Sequence, residues 1–224
     1  TYLEKKAAWR DFRDSVLVTH PTGEMPNATD SGYAFGRRAR QLIGLPEQHI
    51  GIPELVLQAV ARGQRAPIVF VDDFVGSGDQ FVKTWHREYS IDGNNISFAS
   101  IAPSLTQPIF YCPLICTLDG LTVIEASCSP LRLRPVHVLP PEYSARHQLS
   151  LIWPPHLRAG ASDFVTTASA RAGISAQKAW GYQSLGLTVA FEHGVPDATL
   201  PILWWVEGVW TPLIRRRLAR NPSP

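Results

Sequence analysis

Apolar and polar positions along the chain follow two rhythms, and the change between them marks out the elements. Leu3, Ala7 or Ala8 and Phe12 recur about one turn apart, which predicts a short amphipathic helix over residues 1–13. The unbroken run Ser15-Val16-Leu17-Val18-Thr19 then predicts a buried strand. His20 to Thr29 is rich in Pro, Gly and Asn and reads as a loop. Asp30 or Ser31 can cap a helix over Tyr33–Ile43, where Phe35, Ala39 and Leu42 share one face. A second helix is expected around Pro53–Arg62, closing at Gly63.

The clearest pattern lies at the middle of the chain. Ile68-Val69-Phe70-Val71 is apolar at every position, as in a parallel strand covered on both faces. The run ends in Asp72-Asp73, passes through Phe74-Val75-Gly76-Ser77-Gly78 and enters helical sequence from about Asp79 to Tyr89. A second apolar run, Ile109–Ile115, precedes a helix near Leu121–Ala126 and a strand near Val136–Leu139. Strands alternating with helices predict an α/β fold with an open, mostly parallel sheet built from right-handed crossovers.

Beyond Pro140 the rhythm changes. Trp153-Pro154-Pro155 leads to an expected helix around Ser162–Ala172, and Leu187-Thr188-Val189-Ala190-Phe191 reads as a strand. That strand fits either one more member of the sheet or the start of a cap. We expect one domain over 1–224, with a core of about 14–140 and a C-terminal elaboration of about 141–224.

Composition supports a folded core, since 45% of residues are apolar and 18% charged. Seven Trp and nineteen Pro suggest a loop-rich periphery rather than a helical bundle. The formal charge of +2 is too small to announce a nucleic-acid binder. Two arginine clusters, Arg37, Arg38 and Arg40, and Arg215, Arg216, Arg217 and Arg220, leave nucleic acid open as a partner, although a basic tail is more often a solvated end. Cys112, Cys116 and Cys128 have neither even number nor CxxC spacing, so buried thiols in a reducing cytoplasm are expected. No signal-peptide pattern opens the chain, and no apolar run is long enough to span a bilayer.

The chemistry gathers at the carboxyl end of the Ile68 strand, where open parallel sheets bind ligands. Two adjacent carboxylates there, Asp72 and Asp73, can accept from a sugar's vicinal hydroxyls or hold a hydrated divalent cation. Gly76-Ser77-Gly78 lets successive N–H groups converge at a helix start, where the helix dipole favours a phosphate. Together they suggest a ribose 5-phosphate or a nucleotide. A strand ending in Asp before a Gly-rich turn can also be a simple connection.

Ile68-Val-Phe-Val-Asp-Asp-Phe-Val-Gly-Ser-Gly-Asp-Gln80 resembles the phosphoribosyl-diphosphate-binding motif of type I phosphoribosyltransferases. With residues 29–40 (TDSGYAFGRRAR) and 191–205 (FEHGVPDATLPILWW), the wording is most similar to the phosphoribosyltransferase-like proteins of bacterial conflict and anti-phage defence systems. The resemblance implies that Asp72 and Asp73 face the ribose hydroxyls and that Gly76, Ser77, Gly78, Asp79 and Gln80 surround the 5-phosphate. It places the loop His20–Gly32, with Ser31, Gly32 and Arg37, where diphosphate is bound. It further implies a cytoplasmic effector with a protein partner in a defence complex. An Mg²⁺ ion could bridge ligand and Asp pair, and no tightly bound organic cofactor is expected.

Three departures point away from ordinary nucleotide salvage. Gly76 and Gln80 stand where orthodox transferases usually carry Thr, Asp79 puts a carboxylate beside the phosphate nest, and only about twenty-five residues separate Ile43 from Ile68, which leaves little room for a long catalytic loop. Both a glycosyltransferase or nucleotide glycosidase and a non-catalytic, nucleotide-sensing or partner-binding module remain open. A plain structural subunit would leave the Asp pair unexplained.

His193, in Glu192-His193-Gly194, could act as an acid–base group or hold a ligand, although a lone His before a Gly-Pro turn is more often structural. No HExxH spacing, P-loop or GxSxG elbow is present. Trp204, Trp205 and Trp210 could stack on bases, but such clusters more often form a core or an interface.

Overall fold

The computed structural model describes residues 1–23, 31–207 and 210–214. They form two compact units, Thr1–Val138 and Leu139–Pro224.

The first unit is α/β. Helix α1 (Tyr2–Ser15) starts in a capping box of Thr1 and Glu4 and leads into β1 (Leu17–Thr19). Helices α2 (Ser31–Ile43) and α3 (Pro53–Ala61, Pro at its first position) precede β2 (Ile68–Val75). Helix α4 (Asp79–His86) follows, then a hairpin of β3 (Tyr89–Ile91) and β4 (Asn94–Ile96), and α5 (Phe98–Ile101). The long β5 (Ile109–Thr117) turns directly into α6 (Leu118–Ser127), and β6 (Arg132–Leu133) and β7 (His137–Leu139) complete the sheet.

The main sheet runs β1-β2-β5-β6, with all three of these pairings parallel, and β7 also pairs with β5. It is the expected open, mostly parallel α/β sheet. Ile68 and Phe70 of β2, Ile109 and Tyr111 of β5, and Leu17 of β1 share one core with Val56 and Leu57 of α3, Phe81 and Trp85 of α4, Phe98 of α5 and Ile124 of α6. Val16, Val18 and Leu45 form a second cluster, against which Phe12 of α1, Ala39 of α2, and Val69 and Val71 of β2 pack. The alternate residues of β2 thus serve two cores, which is why its sequence reads as a continuous apolar run.

Pro113 sits inside β5, a position hostile to a residue without an N–H. Its neighbours explain the tolerance. The N–H groups of Arg134 and Val136 donate to the carbonyls of Tyr111 and Pro113, so residues 111 and 113 face the β6–β7 side, where the partner chain is interrupted between the two short strands.

Two elements away from the acidic pair differ from expectation. The helix expected to reach Tyr89 stops at His86, and Tyr89–Ile96 forms the β3–β4 hairpin around Asp92 (φ 50°) and Gly93 (φ 81°). An Asp-Gly pair with both residues left-handed is the turn a two-residue hairpin requires. The second difference lies in the other unit.

That unit is built on α7 (Ala161–Arg171) and short 3₁₀ turns around Ala145, Val165, Ala172, Ile174, Leu200 and Ile202. Trp153, Trp180, Trp205 and Trp210 pack against this core. Trp210 donates its indole N–H to the carbonyl of Ile202 (2.9 Å), and Trp204 donates to that of Thr199 (3.2 Å). The strand expected over Leu187–Phe191 does not form, and only isolated bridges, Leu187 with Thr199 and Phe191 with Gly194, pair there. The segment opposite enters a 3₁₀ turn at Pro201–Leu203 directly after Leu200, whose N–H donates to the Leu187 carbonyl, so pairing stops after one step.

Candidate functional site

Strand β2 does not end at the acidic pair. It continues to Val75, held in register with β5 through Phe74 opposite Ile115 and Val75 opposite Cys116. Its pairing with β1 stops at Phe70. Asp72 and Asp73 therefore lie on extended backbone rather than on a turn, beyond the last β1 pair and flanked by β5.

Successive residues of a strand point to opposite faces, but the Asp72 and Asp73 carboxyls stay in hydrogen-bond contact with each other. Asp72 is on the face of Ile68 and Phe70 and is buried, at 7% exposure, whereas Asp73 is half-buried. The Tyr111 hydroxyl donates to Asp72 Oδ2 at 2.9 Å, and the Asp73 N–H donates to Asp72 Oδ1 at 2.9 Å. Burial, followed by the neighbouring charge of Asp73, pushes the Asp72 carboxyl well above the usual range, against the lowering effect of the Tyr111 hydrogen bond. The same burial, with Asp72 beside it, raises the Tyr111 phenol. Asp72 thus meets the aromatic core through Tyr111 and the Asp73 carboxyl beside it.

The Gly76-Ser77-Gly78 loop starts where β2 ends. Gly78 takes φ 85° and is the N-cap of α4, with no side-chain cap bond of its own. The Asp79 N–H points to Ser77 Oγ at 3.4 Å, so the Ser77 oxygen lies over the first turn of the helix. From behind, the N-terminus of α6 closes on the loop. Thr117 donates its hydroxyl to the Gly76 carbonyl at 2.5 Å and accepts from the Gly120 N–H at 3.0 Å, while a Cβ on Gly78 would stand 3.0 Å from the Gly120 carbonyl. The loop is a tightly backed turn at a helix N-terminus, a geometry that presents backbone N–H groups to an anion. Asp79 is half-buried and Gln80 exposed, and the Gln80 carbonyl accepts from the Thr84 hydroxyl at 2.9 Å.

Of the proposed diphosphate loop, residues 24–30 lie outside the described residues, as do Arg215, Arg216, Arg217 and Arg220 of the basic tail. Ser31 and Gly32 are the first residues of α2, and Arg37 is exposed further along it. The described start of the loop is anchored to α4. Thr22 donates its N–H to Thr84 Oγ1 at 3.2 Å, and Arg87 reaches Thr22 Oγ1 (2.7 Å) and the Gly23 carbonyl (2.9 Å). His193 belongs to the second unit, where it is exposed at the turn between Phe191 and Gly194 and stacked on Phe191 at 5.2 Å.

Among the described residues, no group of three or more His, Cys, Asp or Glu could hold a metal ion. The three cysteines are free thiols, and burial holds those of Cys116 and Cys128 up at about 12.

A family model matches residues 2–216 of the chain, and its description is PRTase-CE. The chain belongs to the PRTase-CE family. This phosphoribosyltransferase-like family covers both units, so the resemblance first carried by Ile68–Gln80 extends to nearly the whole chain. No curated protein matches the chain. No helix among the described residues is long and apolar enough to cross a membrane.

Sequence reasoning missed Tyr111, Thr117 and Gly120, which build this site of the PRTase-CE chain from β5 and α6. One signal was available. A Tyr inside a run as apolar as Ile109–Ile115 must find a partner for its hydroxyl, and an acidic pair on a neighbouring strand supplies one.

Proposed function

We propose that this chain binds or acts on a phosphorylated ribose or a nucleotide at the β2 carboxyl edge. Asp73 meets the sugar hydroxyls, and the Gly76-Ser77-Gly78 loop with the first turn of α4 receives the 5-phosphate. One observation carries the reading: a half-buried carboxylate on extended backbone is followed, within five residues, by a left-handed glycine N-cap that opens a helix. Membership of a phosphoribosyltransferase-like family supports the same chemistry. In glycosidic transfer or cleavage, Asp73 would stabilise the cationic sugar centre electrostatically.

The protein's role, in this reading, is that of a cytoplasmic effector in bacterial anti-phage defence, working with a protein partner. The resemblance of residues 29–40, 68–80 and 191–205 to proteins of such systems supports it. A second reading, a nucleotide-sensing module without turnover, is favoured by the residues at positions 76 and 80, where Gly and Gln offer no hydroxyl donors.

One assay separates the two. Purified protein, alone and with any partner, is incubated with nucleotides, NAD and phosphoribosyl diphosphate, and release of base or diphosphate is followed. Turnover that falls by about 10²–10³ in Asp73→Asn supports the enzyme. Turnover unchanged by that substitution removes the catalytic role from Asp73, and binding without any product supports the sensing module.

A further inference from the structure

Tyr111 has no freedom to be anything but a donor at one place. Its ring lies parallel to Phe81 of α4, with centroids 4.0 Å apart and planes at 10°, and Phe70 of β2 meets it edge-on at 6.4 Å. At 1% exposure, its hydroxyl is held on Asp72 Oδ2. Asp72 Oδ1 accepts the N–H of the next residue, Asp73. The chain of contacts runs from the aromatic core, through one phenol and one carboxyl, to the backbone of the residue assigned to the ligand.

We propose that Tyr111 and Asp72 are a positioning pair, which fixes the β2 backbone at Asp73 and leaves Asp73 as the one carboxylate of the two that meets the ribose. The proposal deepens the functional reading above and rests on it for the ligand. Its physical basis is the cost of a buried charge. Two ionised carboxylates on adjacent residues repel, and the one without water is the one that holds its proton. Asp72 then serves as a neutral brace whose carboxyl proton is donated to the Asp73 carboxylate, so that the pair carries one charge. The groups around the pair are consistent with this. Asp73 on β2 adds negative charge, the Cys116 thiol on β5 is kept neutral by burial, and Phe81 and Trp85 of α4 and Phe98 of α5 contribute only rings.

The test uses the full chain and the variants Tyr111→Phe, Asp72→Asn and Asp73→Asn. One arm needs no ligand: the carboxyl signal of Asp72 is followed against pH by infrared difference spectroscopy, with Asp72→Asn assigning the band. We expect Asp72 to remain protonated above the pH at which ordinary carboxylates ionise. We also expect its titration to move higher still in Tyr111→Phe, because the lost hydrogen bond had favoured the charged form. Titration of Asp72 in the ordinary range overturns the proposal. The other arm measures ribose 5-phosphate by calorimetry. Asp73→Asn should weaken binding at least about tenfold, whereas Asp72→Asn, which keeps shape and the Tyr111 contact, should stay within about threefold. Equal losses in the two Asn variants overturn the division of roles. Absence of ribose 5-phosphate binding in every form, the unsubstituted chain included, counts against the ligand reading instead, and the infrared arm then decides the pair alone.

Discussion

Thr117 and Gly76 join the two loops that build the site: the Thr117 hydroxyl donates to the Gly76 carbonyl and simultaneously caps α6 through the Gly120 N–H. The fit at this junction leaves no room for a side chain. A Cβ on Gly120 would fall inside the van der Waals surface of the Gly76 carbonyl oxygen and close to Val75 Cγ1. Both neighbours belong to backbone-anchored structure, so neither yields as a flexible side chain would. Gly120→Ala should therefore cost about 1–3 kcal/mol in chemical denaturation and displace the Gly76–Gly78 loop. Thr117→Ala should cost about 1–2 kcal/mol through the lost cap and hydrogen bond, without steric displacement. A Gly120→Ala protein as stable as the unsubstituted chain would show that the junction is not closed.

The buried carboxyl of Asp72 sets a pH dependence whose sign follows from its direction of shift. Its folded-state pKa is raised, by burial first and by Asp73 second. The stabilisation it provides is thus complete below the unfolded value of about 3.9 and is lost as pH rises through the folded one. Asp72→Asn removes this penalty while keeping an acceptor for the Asp73 N–H and a partner for Tyr111. Urea denaturation from about pH 4 to about pH 8 should show the variant gaining on the unsubstituted chain as pH rises. The gain amounts to about 1.4 kcal/mol for each unit by which the carboxyl is raised. A gap that stays constant or narrows with rising pH contradicts the burial argument. A residue that costs stability at neutral pH is the kind kept for a site rather than for the fold.

How much of this could be read beforehand depended on whether burial left a periodic trace. β2 and β5 did leave one, because strands packed on both faces have few polar positions, and the helix after Gly78 followed from the glycines. The direction of Asp72 did not, since it turned on whether the strand stopped at Val71 or ran on to Val75. Only the length of β5, which pairs β2 as far as Cys116, decides that. The β3–β4 hairpin was signalled by Asp92-Gly93, but the helical sequence before it hid the break at Arg87. In the second unit, scattered tryptophans rather than a repeating face supply the core, so the apolar stretch Leu187–Phe191 imitated a strand.

Arg87 ties the described start of the loop after β1 to the end of α4, and its two contacts require two nitrogens in a fixed fork. One reaches Thr22 Oγ1 and the other the Gly23 carbonyl. Arg87→Ala should cost about 1.5–3 kcal/mol, the range for hydrogen bonds to a charged group. Arg87→Lys should recover little of it, because a single ammonium cannot reproduce the fork. Hydrogen exchange at the Thr22 amide, which donates to Thr84 Oγ1, should accelerate in both variants. Full recovery by Lys would mean that charge alone, not geometry, holds the loop.

Ser77 offers the most direct test for a phosphate at this loop, because its substitution can separate binding from folding. Ser77 Oγ accepts, at 3.4 Å, from the Asp79 N–H, and a carboxylate at position 77 can accept the same bond. It would also sit near the positive end of the α4 dipole, offsetting part of its repulsion from Asp79. Ser77→Asp should therefore fold, with a denaturation midpoint close to that of the unsubstituted chain. A phosphate arriving at the same N–H groups would meet a second anion in the space it needs and would lose a charge-assisted hydrogen bond. Affinity for ribose 5-phosphate or phosphoribosyl diphosphate should fall by at least ~3 kcal/mol, more than a hundredfold. Ser77→Thr keeps the hydroxyl and should retain affinity, which excludes bulk at this position as the cause. Calorimetry on the three proteins under one buffer condition decides the matter: a folded Ser77→Asp variant that binds as tightly as the unsubstituted chain places the phosphate elsewhere.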